Sequence, residues 1–439
     1  MIRESASGFR VRFLSLAAIA VLAACKRDAA SDHATPSPSD ASIEASSPSL
    51  GSGEGKELPF IENDYERALA LAKETKRSIV VDTFASWCHS CLSMRSFVFE
   101  DPKVIAHAND VVWLVLDVDK KENEAILKRL LPPALPTFYR LDSNGEVTSK
   151  WIGTMSVDEF TRFVTTARPD KSISAKMVEL LEEKKYTACQ EAVLEVLAKK
   201  PAASADMLGV AINGIECAKA ERDASAETGK SSTKPPAAFS PAKKESFLRM
   251  TNWLAALVDD FSYDALADDR SGAFETLVDA LRELKDEPRR RSFAEHWVRF
   301  LEGQVTLATT KEARVVFDSH RLLAYAETGD PTRSIPMLEE SAKDFPNDYN
   351  PPARLARTYF TLQRYPEART AIGRALSLAY GPRKLRLFEL AADIESKSND
   401  RASEKAALDS ALELAKTLSL TEGYQKLVRG LEERRKKLG

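Results

Sequence analysis

Cysteine is scarce in this chain of 439 residues, with five in all. That excludes a small scaffold held together by many disulfides. A charge excess is also missing. The 63 Lys and Arg against 66 Asp and Glu leave a formal net charge of −3, so no basic field gathers nucleic acid and no single-sign surplus defines a partner. No apolar run reaches the roughly 20 residues of a membrane-spanning helix, and the candidate near the N-terminus, Phe13 to Leu22, falls well short. What is present is a chain too long for one ordinary core, 44% hydrophobic and 29% charged, for which two or three folded units are expected.

Arg3, Arg10 and Arg12 precede the apolar run, and Leu22-Ala23-Ala24-Cys25 closes it. A basic start, a short apolar core and small residues at its end are the layout of an export signal. The closing tetrapeptide resembles the lipobox of bacterial lipoproteins, which implies cleavage of a signal peptide over residues 1–24 and lipidation of Cys25. Lys26 in place of Asp points to the outer membrane under the sorting rule of enteric bacteria. A plain secretory signal with an incidental cysteine is the alternative. The stretch that follows, to residue 57, is Ser, Ala, Pro, Asp and Gly with only Ile43 and Leu50 as large aliphatics. It cannot bury enough surface to fold, and reads as a tether.

From about residue 58 to 169 the pattern changes. Ala68, Leu69, Leu71 and Ala72 recur at helical spacing within Asp64 to Lys76, and Ser78 to Phe84 is a β-branched run suited to a buried strand. Trp87-Cys88-His89-Ser90-Cys91 follows, and Leu92, Met94, Phe97 and Val98 continue as the apolar side of a helix. The cysteine pair thus falls at a strand-to-helix junction. A helix start lowers a thiol's pKa, so Cys88 is placed as the attacking thiolate. Cys91, one turn on, is placed to displace the mixed disulfide that Cys88 would form. Further strands are expected over Val111 to Val118, Pro136 to Leu141 and Val147 to Ile152, with helices over Asn123 to Leu131 and Ser156 to Thr166. Asp142 to Gly145 reads as a turn, and Ser156 with Glu159 as a capping box.

The segment Val81-Asp82-Thr83-Phe84-Ala85-Ser86-Trp87-Cys88-His89-Ser90-Cys91, with Leu135-Pro136-Thr137 later, resembles the thioredoxin superfamily over about a quarter of the chain. The resemblance implies an α/β fold and thiol:disulfide exchange by Cys88 and Cys91. It implies that Asp82 is the buried acid assisting proton transfer at Cys91, and that Pro136 is a cis-proline beside the pair. Trp87, His89, Leu135 and Thr137 are the expected walls of a substrate groove. Met94, Val98-Phe99, Asp101-Pro102 and Val104 look like the branch that holds the periplasmic C-terminal domain of the bacterial transmembrane disulfide reductase. Arg95 stands where that branch often has Glu, and Ala134 where many members have Gly.

His89 has two readings: an imidazolium that stabilises the Cys88 thiolate, or a solvent-facing ring with little effect. Asp117 and Asp119 read as the polar end of a strand. No metal site is expected, since a single Cys-x-x-Cys lacks two of the four ligands of structural zinc. Covalent haem is excluded because Leu92, not His, follows Cys91. No cofactor is expected.

After Pro169, Ala/Leu/Glu/Lys-rich helical patterns run to the C-terminus, with an exposed Pro-containing loop near residues 227–244. Leu355, Ala356, Tyr359, Ala368, Ile372 and Ala375 resemble a tetratricopeptide repeat; Tyr325 and Leu338 lie 34 residues before Tyr359 and Ile372. A third unit can be drawn through Ala391, Leu408 and Ala411, and a degenerate one from Lys185-Tyr186 to Pro201. The expected architecture is an α/β thioredoxin-like domain followed by an all-α helical-repeat, tetratricopeptide-like domain. Its parts are an α-helical region over 170–314 and repeats over 315–439. Cys189 and Cys217 flank the Pro201 turn at comparable distances and suit a structural disulfide, with two free thiols as the alternative. Arg434 to Lys437 reads as a solvated helix end.

These readings give an envelope thiol:disulfide oxidoreductase, periplasm-facing and held by its lipid. It would act on exported proteins, reduction favoured, with a membrane electron donor and with helical repeats docking a partner. The alternative is a lipoprotein adaptor that uses the repeats and a non-catalytic thioredoxin fold for binding.

Overall fold

In a computed structural model of the protein, residues 57–166, 172–227 and 238–439 are described. Cys25, the export signal, the tether to residue 56 and residues 228–237 of the expected loop lie outside them. No helix of the described residues is long and apolar enough to cross a membrane.

The β-branched run becomes β2 (Ile79–Phe84), the middle of a five-stranded sheet in the order β1 (Ile61–Glu62), β3 (Val112–Asp117), β2, β4 (Thr137–Leu141), β5 (Val147–Ile152). β3 runs parallel to β1 and β2, while β4 runs antiparallel to β2 and β5. Both faces are apolar and both are covered. Strand alternation sends Ile79, Val81, Leu114 and Tyr139 towards α1 (Tyr65–Thr75) and α4 (Glu124–Leu130). It sends Val80, Trp113 and Phe138 to the opposite face, which meets α3 (Pro102–Ile105), α5 (Val157–Thr165) and the residues Met94 and Val98 that follow α2 (His89–Ser93). Asp82, two residues after Val80, shares that second face. A π-helical turn, Met94–Val98, continues α2. Ser156 and Glu159 close the expected capping box at α5, and Gly145 takes φ +91 in the turn before β5.

The rest is helical: α6 (Ile173–Glu182), α7 (Tyr186–Ala198), α8 (Ala205–Glu227), α9 (Pro241–Asp259), α10 (Ala267–Glu283) and α11 (Glu287–Leu307). There follow α12 (Lys311–Val315), α13 (Asp318–Glu327), α14 (Ser334–Asp344), α15 (Asn350–Thr361), α16 (Tyr365–Leu378), α17 (Arg383–Lys397), α18 (Arg401–Ala415) and α19 (Glu422–Lys437). One apolar core extends from Met177 to Ile394, and a smaller one joins α17 to α19. Ala356, Ala368 and Ala375 are fully buried where α15 meets α16, since only a small side chain lets two helices approach so closely. Cys189 on α7 and Cys217 on α8 are fully buried, with their sulfurs 2.09 Å apart.

Arg434 departs from its expectation. It is only partly solvated: its guanidinium reaches Asp393 at 2.5 Å and Glu404 at 2.7 Å, tying α19 back to α17 and α18. A cluster of like charges lowers its own repulsion by finding carboxylates on neighbouring helices.

Candidate active site

Cys88 caps the N-terminus of α2 in an extended conformation, and the Cys91 N–H donates to its Sγ at 3.1 Å. A donor aimed at that sulfur favours the thiolate once the pair is reduced. The two sulfurs lie 2.20 Å apart. Cys88 keeps 6% of its exposure and Cys91 none, so the two thiols are unequal in access, as an attacking and a resolving thiol need to be.

Below them Asp82 is 1% exposed, and neither carboxylate oxygen accepts a hydrogen bond among the described residues. Burial pushes its pKa up to about 6, against the pull of the Arg95 guanidinium 3.6 Å away. Arg95 also stacks on Phe84, 3.9 Å from the ring centre. It therefore sets the charge environment of Asp82, a role the sequence did not assign to it. A buried acid that titrates near neutrality can accept and return a proton.

The Leu135–Pro136 peptide bond is cis. Leu135 is half-buried and packs with Cys88 and Cys91. Thr137 corrects the expected groove. It is fully buried: its hydroxyl donates to the Ala134 carbonyl and its N–H to the Thr83 hydroxyl. Its side chain therefore lines no open surface.

Helices of the C-terminal region pack on the cysteine loop itself. Trp87 donates to Asp119 at 2.7 Å and carries the Arg383 guanidinium 4.6 Å above its ring. The Asn350 amide reaches the Ser86 hydroxyl at 3.3 Å. The Tyr380 hydroxyl donates to Asp117 at 2.6 Å, so this polar end of β3 is a buried acceptor. Phe97 stacks towards Phe317. The Thr154 hydroxyl donates to Asp269, whose pKa burial and the neighbouring Asp268 charge push up to about 7.

His89 is only partly open to solvent and is held from the helical region. Its Nδ1 bonds Asp268 Oδ1 at 2.8 Å, and the same oxygen takes His320 Nε2 at 3.0 Å. Burial works against the imidazolium, yet the Asp268 carboxylate, aided by Glu275 and opposed by Arg354, raises the His89 pKa above its ordinary value. The ring keeps 37% of its exposure, so solvent screens part of this effect. Burial alone would raise the Asp268 pKa, but the two imidazoles hold it well below the usual carboxylate range.

Among the described residues, His89, Asp268 and His320 are the donor set whose ligating atoms lie within 4.8 Å of one another. Their 2.8 and 3.0 Å separations are hydrogen-bond lengths, tighter than the roughly 3.3 Å between neighbouring ligands of a tetrahedral zinc. The far nitrogen of His320 has no hydrogen-bond partner to orient it as a ligand. The geometry is that of a hydrogen-bonded triad.

A family model described as thioredoxin-like matches residues 61–140, which hold β1 to β3, most of β4, Asp82 and the Cys88–Cys91 pair. This segment is a thioredoxin-like domain. Over 99 residues the chain is 31% identical to the thiol:disulfide interchange protein DsbD of Vibrio vulnificus, a match covering 21% of this chain and 17% of that one. The chain thus spans about a sixth of that relative's length. A solution structure of a thioredoxin from Thermus thermophilus is 28% identical, over 25% of this chain and 85% of that one, with a TM-score of 0.23. A tetratricopeptide repeat protein from Parabacteroides merdae is 11% identical, over 59% of this chain and 97% of that one, with a TM-score of 0.28. In this chain the thioredoxin-like domain is followed by a large helical region.

Proposed function

We propose that the chain is a thiol:disulfide oxidoreductase of the bacterial cell envelope, acting on disulfides of exported proteins. The observation that carries this reading is the Cys88–Cys91 pair at the start of α2, with the Cys91 N–H aimed at Cys88 Sγ. In the reducing direction, the Cys88 thiolate attacks a substrate disulfide, forming a mixed disulfide and expelling one substrate thiolate. Cys91 gives its proton to Asp82 and attacks Cys88 Sγ, releasing the second substrate thiolate. Two electrons pass to the substrate and the pair is left oxidised. A membrane dithiol donor then restores it. Reduction is the favoured direction because residues 94–104 resemble the reductase branch. Leu135 and Pro136 border the approach to Cys88. Lipidated Cys25 is the anchor, with the outer membrane as its site, and residues 26–57 are the tether.

A second reading has one observation in its favour. The helices grip the cysteine loop and leave Cys88 only 6% exposed, as suits an adaptor whose thioredoxin fold is a seat for helices. Reduction of insulin by dithiothreitol separates the two. Acceleration by the wild-type chain that is lost in Cys88→Ser and in Cys91→Ser supports the oxidoreductase. No acceleration by the wild type leaves the adaptor.

A further inference from the structure

We propose that Asp268, from the helical region, is a positioning residue of the redox pair: by its hydrogen bond to His89 it keeps a cation beside Cys88 and so favours the Cys88 thiolate. The inference rests on the exchange chemistry proposed above and adds its regulation, for it makes the seating of the helical region part of the redox site.

Three observations carry it. His89 directly follows Cys88 as the first residue of α2, one residue from the attacking sulfur. Its partner is placed to enforce a positive charge: Asp268 is 1% exposed and bonds His89 at 2.8 Å. A buried carboxylate costs the fold unless donors surround it, and a charged donor satisfies it better than a neutral one. Asp268 itself is fixed, because His320, also 1% exposed, donates to the same oxygen at 3.0 Å. The two imidazoles meet edge to face with ring centres 4.3 Å apart. The carboxylate thus lies one hydrogen bond beyond the ring of the residue that adjoins Cys88.

The other charged groups around His89 leave this arrangement standing. On α10, Asp269 is taken by the Thr154 hydroxyl, and Glu275 lies 3.9 Å from the far nitrogen of His320. Glu275 adds negative potential that favours the cation, and Asp269, its pKa pushed up to about 7, adds to it only where it is ionised. Arg354 on α15 opposes it. Arg314 on α12 is bound by Glu340 at 3.0 Å and Asp344 at 2.5 Å.

Removing Asp268 leaves a partly buried ring with less reason to stay protonated, and Cys88 loses its adjacent cation. The test is the pH profile of Cys88 alkylation in the reduced full-length chain, for wild type, Asp268→Asn, His89→Gln and the double variant. Equilibration of the same four proteins with glutathione gives the potential. Asp268→Asn is expected to raise the Cys88 pKa by about one unit, a roughly tenfold loss of thiolate below the titration midpoint. It shifts the glutathione equilibrium about tenfold, or about 30 mV, towards a stronger reductant. His89→Gln does at least as much, and adding Asp268→Asn to it gives no further rise. A purely structural Asp268 would act equally in both backgrounds.

His89→Gln, at a half-exposed position, keeps the test open if Asp268→Asn folds poorly. Unchanged Cys88 profiles in His89→Gln, or an unchanged or lowered pKa in folded Asp268→Asn, overturn the inference while exchange by the wild type stands. A wild-type chain with no exchange overturns the oxidoreductase reading and this inference together.

Discussion

Asp82→Asn removes a carboxyl whose pKa burial pushes up from 3.8 to about 6. At about 1.4 kcal/mol for each pH unit between those values, ionised Asp82 costs the folded state about 3 kcal/mol. The sign follows from proton binding. Between about pH 4 and pH 6 the folded protein holds a proton that the unfolded chain has released, so stability falls as pH rises through that window and levels off above it. Asn has no such cost, although Arg95 loses its partner 3.6 Å away, which trims the gain. Urea unfolding at pH 4 and pH 7.5, followed by tryptophan fluorescence, measures the difference directly. The variant is expected to gain about 2–3 kcal/mol on wild type between the two pH values, with little difference at the lower one. The same substitution slows thiol exchange at pH 7 by a factor on the order of a hundred, because Cys91 loses its proton acceptor. Parallel pH profiles for the two proteins would refute the claim that Asp82 is buried against its charge. A stabilised variant with undiminished exchange would refute its part in the chemistry.

Gly381→Ala tests the contact between the helical region and the thioredoxin-like domain. Gly381 has φ +62, and a Cβ there would lie 2.4 Å from the Asp119 carbonyl oxygen; the change should cost about 1–3 kcal/mol and speed Cys88 alkylation, read by mass spectrometry. The Cys189→Ala/Cys217→Ala variant opens a link spanning 28 residues and should lose about 3–4 kcal/mol in denaturant titration. Ser156→Ala removes one half of the capping box on α5 and should cost about 1 kcal/mol by the same measurement.

The thioredoxin-like domain was largely legible because its signals are local. The β-branched run before Cys88 suited a buried strand, the thioredoxin resemblance implied a buried Asp82, and Ser156 with Glu159 marked a helix start. The helix pairs around Ala356 and Ala368 were legible for the same reason, since small residues recur where helices touch. What was not legible lies between distant segments. His89 and Asp268 are 179 positions apart, and Ser86 and Asn350 are 264 apart, with no period or motif to connect them. One signal was available. Leu92, Met94, Phe97 and Val98 are more apolar surface than a single face of α2 needs. Met94 and Val98 fill the thioredoxin-like core, whereas Leu92 and Phe97 pack against the helical region. That surplus marked a second partner without naming it. Arg95 opposite Asp82 likewise follows from a helix laid over a strand, not from either sequence alone. Thr137 was placed in the groove by its position after Pro136, but strand alternation and its bond to Thr83 turn it inward.

The most direct test of the central claim is the redox equilibrium of Cys88 and Cys91 in the full-length chain against glutathione, followed by thiol trapping beside a Cys88→Ser/Cys91→Ser variant. The account predicts one reversible two-electron couple nearer to about −270 mV than to about −120 mV, absent from the variant. A pair that never exchanges with glutathione, or exchange that persists in the variant, would contradict it.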